Sequence, residues 1–152
     1  MDKRHGQGTM YEGINYYEGQ WKNDKIHGSG IYKKSGTKID NFWTAKATWT
    51  NDESKNAIVT YRNKEKYIGY FDIKLGRHGD GKMFYKDGTV YVGHWYRDSK
   101  DGIGVLYPNR KAMATEGMEL EITSQKHKPS QQIWKQGKIV QSKCPGRTEI
   151  KN

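Results

Sequence analysis

The fold is decided by the stretch Tyr67-Ile68-Gly69-Tyr70-Phe71, which is followed by His78-Gly79-Asp80-Gly81. The same pattern returns at Tyr91-Val92-Gly93-His94-Trp95, with Gly102-Ile103-Gly104 after it. Each copy consists of aromatic-x-Gly-x-aromatic, a polar turn and Gly-x-Gly. A pattern that recurs at a fixed period predicts a repeat fold rather than a globular one.

The same register extends in both directions. Tyr17-Glu18-Gly19-Gln20-Trp21 with His27-Gly28-Ser29-Gly30 forms another copy, and His5-Gly6-Gln7-Gly8 is the second half of a copy whose first half is missing. Ile39-Asp40-Asn41-Phe42-Trp43 keeps the spacing of the apolar anchors but has Asn41 in place of the glycine. With Met113 as a further lead residue, the lead positions are 17, 39, 67, 91 and 113, a period of about two dozen residues.

Each repeat predicts a β-hairpin. Tyr91, Gly93 and Trp95 alternate with Val92 and His94, which places the first three on one face of a strand. Because one hairpin is marginal alone, the units must stack into an elongated, twisted antiparallel sheet, an all-β array. The residues predicted to hold the repeats are Tyr17, Gly19, Trp21, Gly28, Gly30, Tyr67, Gly69, Phe71, Gly79, Gly81, Tyr91, Gly93, Trp95, Gly102 and Gly104.

The repeat array is predicted to span residues 1–117, with a degenerate unit at 39–66 that has no Gly-x-Gly. There a hairpin of β-branched residues replaces the glycine-based one. Residues 118–152 are predicted to hold capping strands and a basic tail. Residues 116–122, around the start of this region, alternate apolar and acidic residues like a strand, and Ile133 to Val140 is predicted to form a final hairpin with a Gln-Gly turn.

Composition agrees with a thin structure. Only 33% of the 152 residues are hydrophobic and 29% are charged, so a large round core is not expected. Aromatic residues are the main apolar material, with eleven Tyr, five Trp and three Phe. Disordered chains are poor in such residues, so full disorder is the weaker interpretation.

Charge is concentrated toward the C-terminus. The formal net charge is +10, and residues 123–152 hold seven Lys or Arg side chains against the single acid Glu149. The single cysteine, Cys144, indicates a reducing compartment. No apolar run approaches the ~20 residues that span a membrane, and no signal peptide follows Met1. We therefore expect an intracellular, cytoplasmic protein.

The sequence gives little support to metal binding, phosphate binding or nucleophilic catalysis. His5, His27 and His78 occupy equivalent positions in different hairpins, and even successive hairpins lie about 9–10 Å apart, whereas zinc ligands converge within about 2 Å of one ion. The Gly-x-Gly pairs lack the strand, loop and helix context of a phosphate-binding loop. Cys144 has no evident His and Asp or Asn partners for nucleophilic catalysis. We therefore predict no metal, no cofactor and no enzymatic activity.

The aromatic residues suggest a different role. Most form the ladder that holds the hairpins together, but a single sheet has two faces, and open rings mark interaction sites. The residues predicted to contact a partner are Tyr16, Tyr70, Tyr96, Trp43 and Trp49. Basic residues of the C-terminal tail are predicted to add contacts to an acidic surface: Lys126, Lys128, Lys135, Lys138, Lys143 and Arg147.

The Tyr-x-Gly-x-Trp and Gly-x-Gly pattern, as in residues 17–30 and 91–104, resembles the MORN repeat (membrane occupation and recognition nexus). The resemblance covers roughly residues 5–117 and implies an elongated array of β-hairpins. It also implies a scaffold that holds protein partners in cytoskeletal, ciliary or membrane-associated assemblies, often through dimerisation. The asparagine at position 41 and Thr115 depart from the pattern, where glycine is expected.

We therefore expect a non-catalytic scaffold that docks a protein partner within a larger assembly through an aromatic face, helped by the basic tail. Self-association is compatible with this hypothesis. A first alternative is a peripheral membrane adaptor that binds anionic lipid headgroups, and a second is a minor structural protein of a virus particle. Nucleic acid is a weaker candidate, because no recognition module is visible.

Overall fold

The computed structural model describes residues 3–35, 43–114 and 129–143, which form one open eleven-stranded sheet and a short helix. Neighbours in sequence are antiparallel neighbours in the sheet, so the predicted all-β array of consecutive hairpins is confirmed. The helix is α1 (Arg110–Ala114). The strands are β1 (Gly6–Glu12), β2 (Asn15–Lys22), β3 (Lys25–Lys34), β4 (Trp43–Trp49), β5 (Glu53–Tyr61), β6 (Lys66–Asp72), β7 (Gly76–Phe84), β8 (Val90–Tyr96), β9 (Ser99–Tyr107), β10 (Ser130–Lys135) and β11 (Lys138–Lys143).

Four hairpins close with two-residue turns in which both residues have positive φ. These turns are Asn23-Asp24, Asn51-Asp52, Arg97-Asp98 and Gln136-Gly137. Positive φ at both positions gives a backbone twist that matches the twist of the flanking strands, and Asn, Asp and Gly tolerate it best. The last of these turns joins β10 to β11, so the final hairpin and its Gln-Gly turn are confirmed.

A continuous row of rings, which we call the ring ladder, holds the hairpins together. Neighbouring ring centroids lie between 4.8 Å (Trp43 to Phe71) and 6.5 Å (Tyr17 to Tyr32) apart. Such tilted and edge-to-face contacts each contribute about 0.5–1.5 kcal/mol beyond the area that they bury. In order along the sheet, the ladder consists of Trp21, Tyr17, Tyr32, Trp43, Phe71, Tyr67, Trp95, Tyr91 and Trp134. All these rings lie on one face, the ladder face.

The register of the degenerate unit differs from the prediction. Its lead residue is Ala45 rather than the residue at position 39, because Ala45 pairs with Tyr32 as Tyr91 pairs with Met83. Ala47 and Trp49 then occupy the glycine and second aromatic positions of the pattern. The prediction followed the spacing of the apolar anchors at positions 39 and 43 and did not allow alanine at the lead and glycine positions.

Met113 does not begin a further strand, as the period predicted, but lies in α1. The Asn109 side-chain oxygen accepts a hydrogen bond from the Ala112 backbone N–H (2.8 Å), and an asparagine that caps in this way starts a helix. The predicted strand at 116–122 lies outside the described residues.

Candidate partner-binding face

Cross-strand glycine pairs make room for the lead tyrosines of the ladder. Tyr67 lies across the pair Gly69 and Gly81, and a Cβ added at Gly81 would lie 2.1 Å from the Tyr67 hydroxyl oxygen. That hydroxyl donates to the Tyr70 carbonyl (2.7 Å), and burial raises the pKa of Tyr67, opposed by nearby Arg77. The same arrangement recurs at Gly19 with Gly30 and at Gly93 with Gly104. The lead tyrosines and these three glycine pairs thus lie on the ladder face, with the glycines beneath the rings.

Three of the predicted partner-contacting residues lie on the opposite side of the sheet, which we call the open face. Alternation along β2, β6 and β8 directs Tyr16, Tyr70 and Tyr96 away from the ladder. Tyr70 and Tyr96 flank His78, with ring centroids 6.4 and 5.2 Å from its imidazole, and Tyr96 is 49% exposed. Tyr16 is at the other end of the sheet, beside Tyr11 (5.1 Å), and donates a hydrogen bond to Glu18.

Trp43 and Trp49 are not on the open face. Their exposed fractions are 7% and 1%, and the Trp49 ring nitrogen donates to the Gly30 carbonyl (3.0 Å). The expectation that these rings contact a partner is therefore corrected, because they have too little exposed surface to do so. Their strand register points both side chains into the core of the ladder face.

The open face carries a groove between β4 and β8. One cavity of about 440 Å³ is bounded by Thr48, Glu53 and Tyr70, and the hydrogen bond to Glu53 raises the pKa of Tyr70 to about 12. A second cavity of about 490 Å³ is bounded by residues that include Ile68, Lys82 and Val92. Lys55 and Asn56 border both cavities, so the two join into one continuous groove.

An aliphatic and cationic row runs along this face, one residue from each strand. Its members are register neighbours from β3 to β8: Ile31, Lys46, Ile58, Ile68, Lys82 and Val92. Ile31, Ile58 and Ile68 are between 37% and 45% exposed, which is unusual for isoleucine. Sequence reasoning missed the row because its members lie in different repeats, although each is next in sequence to a glycine or alanine of the pattern.

The basic residues of the predicted tail divide into two groups. Lys135, Lys138 and Lys143 are exposed residues of β10 and β11, so they belong to the sheet and not to a loose tail. The strand pairing of β10 with β9 continues the array directly. The other three predicted contacts, Lys126, Lys128 and Arg147, lie outside the described residues.

The histidines before Gly-x-Gly have a role in the turns. The ring nitrogens of His5 and His78 accept hydrogen bonds from the backbone N–H groups of Asn23 and Arg97 (3.3 Å each). Within the described residues, no group of three or more His, Cys, Asp or Glu side chains is arranged to hold a metal ion.

Sequence reasoning also missed a set of cations at equivalent positions in different hairpins, which we call the column. Arg4 and Arg77, at equivalent positions just before the histidines, lie over the Trp21 and Trp95 rings of the next hairpin (4.1 and 4.3 Å). Such cation–π contacts contribute about 0.5–1 kcal/mol at exposed sites and more when they are desolvated. The recurrence of Arg-His-Gly in the sequence was the signal for them.

The model of the MORN repeat family matches residues 1–11, 17–38 and 91–110. No curated protein matches the chain. MORN repeats form scaffolds that commonly mediate protein or membrane interactions, and they are generally non-catalytic. The hairpins β4–β5 and β6–β7, which the match leaves out, continue the same sheet in the same register. Among the described residues, no helix has the length and apolarity needed to span a bilayer.

Proposed function

We propose that this chain, which is built of MORN repeats, is a non-catalytic scaffold whose open face binds a protein partner within a larger assembly. The observation that carries the proposal is the groove between β4 and β8, bordered by Tyr70 and by the aliphatic and cationic row. The ladder face is occupied by the chain's own rings. The open face presents exposed apolar side chains, the usual mark of an interaction site.

The chemistry of this face supports an acidic partner. Lys46 and Lys82 are exposed members of the row, while Lys66 and Lys55 lie beside it. Asp80 and Glu53 border the same groove, but these four lysines outnumber the two carboxylates. Complementary charge speeds association and suppresses wrong partners more than it adds affinity, so the apolar side chains must provide most of the binding.

The spacing of the row supports an amphipathic helix as the bound element. Neighbouring strands lie about 4.8 Å apart, and helix positions three or four residues apart are separated by about 4.5–6 Å along the axis. A helix laid across the strands can therefore place one side chain over each strand. Its apolar residues would face Ile58 and Ile68, and its carboxylates would face Lys46 and Lys82.

The second candidate is a peripheral membrane adaptor, and the exposed lysines of the open face and of β11 are the observation that favours it. Each basic residue near an acidic membrane contributes about 1 kcal/mol. A concave groove suits a segment of protein better than a flat headgroup layer, which is why we prefer the first candidate. We also propose a cytoplasmic location for the scaffold, in an assembly that is cytoskeletal, ciliary or viral.

The test compares three forms of the full chain as baits for cell extract, with retained proteins quantified by mass spectrometry. One form carries Ile58→Thr and Ile68→Thr, which remove exposed aliphatic surface but keep β-propensity. The control carries Ile14→Thr, at a side chain that is 63% exposed in the turn between β1 and β2. We expect one or more proteins to be retained by the wild type and the control and lost by the double variant.

Two results would contradict the proposal. If the double variant retains the same proteins as the wild type, the open face is not the binding surface. If the wild type instead binds vesicles containing phosphatidylserine, and Lys46→Glu with Lys82→Glu abolishes that binding, the adaptor candidate replaces the scaffold. A steep loss of binding with added salt would accompany the lipid outcome, whereas apolar docking depends weakly on salt.

A further inference from the structure

Two of the three turn aspartates, Asp24 and Asp98, pair with a cation of the preceding hairpin, whereas Asp52 is paired with Ile26. The N–H groups of Asp24 and Asp98 donate to the carbonyls of Arg4 and Arg77 (3.0 and 2.8 Å). Their carboxylates form salt bridges with the same two arginines (2.5 and 2.7 Å). Each cation thus has an aromatic ring on one side and a carboxylate on the other.

Lys100 occupies the equivalent position in β9, but its turn partner is a glycine. The Gly137 N–H donates to the Lys100 carbonyl (3.0 Å), as the aspartates do in the other hairpins. Glycine supplies no carboxylate, and the described residues form no salt bridge with Lys100. The Lys100 ammonium instead lies among three rings, 5.0, 4.5 and 4.2 Å from the centroids of Tyr85, Tyr91 and Trp134.

The charged groups around this position do not replace the missing carboxylate. Asp98 is engaged by Arg77 at 2.7 Å, and Asp101 is directed to the opposite face by strand alternation. Burial, and then the positive charge of Arg77, lower the pKa of Lys100 to about 8. Burial raises the pKa of Tyr85 and of Tyr91 to about 12, so both rings stay neutral at physiological pH.

We propose that Lys100 is a modification site whose side-chain amine is acylated selectively by activated acyl donors such as acyl thioesters and acyl phosphates. A lysine that is desolvated and next to another cation is the arrangement that activates an amine as a nucleophile. The neutral Nζ attacks the acyl carbonyl carbon. The bond from that carbon to sulfur or oxygen then breaks, and the thiolate or phosphate leaves with the electron pair.

The amine gives up one proton to solvent, and the product is a neutral amide. An amide carries no charge for Arg77 to repel, and its apolar part matches the three rings around it. No other described cation of this column has the same setting, since Arg4 and Arg77 are always protonated and ion-paired.

The test treats the full chain with a limiting amount of N-hydroxysuccinimidyl acetate and measures acetylation of each lysine by peptide mass spectrometry. At pH 7.5 we expect Lys100 to react roughly tenfold faster than the exposed Lys82 and Lys138, because far more of its amine is unprotonated. Its rate should level off near pH 8, whereas theirs keep rising. Equal or slower reaction at Lys100 would overturn the proposal.

A single substitution restores the missing partner. Gly137→Asp recreates the turn of the other hairpins, and position 137 accepts it because its φ of 77° resembles the 67° and 68° of Asp24 and Asp98. A Cβ there would lie 3.4 Å from the Ser99 side chain. We expect Lys100 to lose its advantage in rate over Lys82 and its rate to level off at a higher pH.

Gly137→Asn is the matched control, with nearly the same shape and no charge, and it should keep the fast reaction at Lys100. If Asn slows Lys100 as much as Asp does, the rate depends on access and not on the missing carboxylate, and the proposal is wrong. Circular dichroism and thermal melting of both variants show whether the hairpin is retained. A Gly137→Asp chain that is folded and still reacts quickly at Lys100 would also refute it.

Discussion

The hairpins β6–β7 and β4–β5 solve the same packing problem in two ways. In β6–β7 the lead residue Tyr67 lies across Gly69 and Gly81, so neither glycine has room for a Cβ. In β4–β5 the lead residue is Ala45, and the two glycine positions hold Ala47 and Ala57. The ring that is missing at the lead position is replaced by Trp43, which packs against Tyr32 and Phe71.

The comparison teaches that the second glycine of each pair, such as Gly81, is a consequence of the tyrosine. At the first, Gly69, an added Cβ would also lie 2.5 Å from the Gly81 Cα, so the neighbouring strand contributes there. Where a ring covers the cross-strand pair, only hydrogen fits beneath it. Where the lead residue is small, alanine is accepted and contributes its own buried methyl group, since Ala57 is 0% exposed. The two hairpins therefore differ at the lead position and at the paired glycine positions. Both keep an aromatic residue at the second aromatic position, which is Phe71 in β6 and Trp49 in β4.

The largest effect should come from that shared aromatic position. Trp49→Ala removes a 1% exposed indole and its hydrogen bond to Gly30, so we expect a loss of about 3–5 kcal/mol in the free energy of unfolding. Urea denaturation measures the change. The control Ile58→Ala lies on the open face of the same hairpin and should cost less than about 1 kcal/mol. A loss that small at Trp49 would return this residue to the list of partner contacts.

The next largest effect separates ring-covered glycines from uncovered ones. Gly81→Ala would place a Cβ 2.1 Å from the Tyr67 hydroxyl, and we expect it to cost about 1–3 kcal/mol because the core is overpacked. Gly8→Ala is the matched control. It lies in the same cross-strand row, yet its Cβ would meet Trp21 at an ordinary 3.4 Å, so stability should change by less than about 0.5 kcal/mol.

A double-mutant cycle then tests whether the ring is the cause. Combined with Tyr67→Ala, which empties the space above the pair, Gly81→Ala should cost much less than it does alone. Residues in direct contact typically show interaction energies of about 0.5–3 kcal/mol. Strictly additive losses would mean that glycine is required by the backbone, and the explanation offered by β4–β5 would fail.

The same comparison explains what the sequence could predict. Gly-x-Gly together with the aromatic pairs indicates a hairpin, because few other structures need both. These two motifs were sufficient to predict the sheet and its strand order. Ala45 and Ala47 carry no such signal, since alanine occurs in any structure, so the register of β4 was placed six residues too early. Trp43 and Trp49 were misassigned for a different reason: a shift of six residues does not change the face of a strand, so alternation alone places both with the lead residues on the ladder face, where they are buried.

The candidate site was less predictable. Tyr70 and Tyr96 could be placed on the open face by alternation alone. The groove beside them depends on side chains such as Lys55 and Val92, which lie far apart in sequence and belong to different repeats. The three rings around Lys100 belong to two strands and one loop that pack against β9, and what distinguishes this cation from Arg4 and Arg77 is the absence of an aspartate at position 137. Only the repeat-by-repeat comparison of a structure exposes such an absence.

A change of pH separates the contribution of Lys100 to stability from that of the buried tyrosines. Between pH 8 and 10.5 the unfolded chain binds a proton at Lys100 that the folded chain has lost, so stability should rise with pH. Between pH 10 and 12 the folded chain keeps the protons of Tyr17, Tyr85 and Tyr91, which the unfolded chain loses, so stability should fall.

Thermal melting from pH 7 to pH 11 should therefore pass through a maximum before a steep decline. In Lys100→Met the rise in melting temperature below pH 10 should disappear while the decline at higher pH remains. This result would assign the rise to Lys100 and the decline to the tyrosines. A rise of equal size in that variant would show that Lys100 is not the group responsible.

The smallest effect distinguishes the two ion-paired cations. Arg77 has a side chain that is 17% exposed, and Asp98 accepts hydrogen bonds from both its backbone N–H (3.1 Å) and its guanidinium (2.7 Å). Arg4 is 48% exposed and pairs with an equally open Asp24. Asp98→Asn leaves the more buried charge without its counterion, so we expect a loss of about 1 kcal/mol. Asp24→Asn should lower the melting temperature less, because water replaces the carboxylate at Arg4. If both variants melt alike, burial does not set the strength of these pairs, and the ring above each arginine accounts for its position in the column.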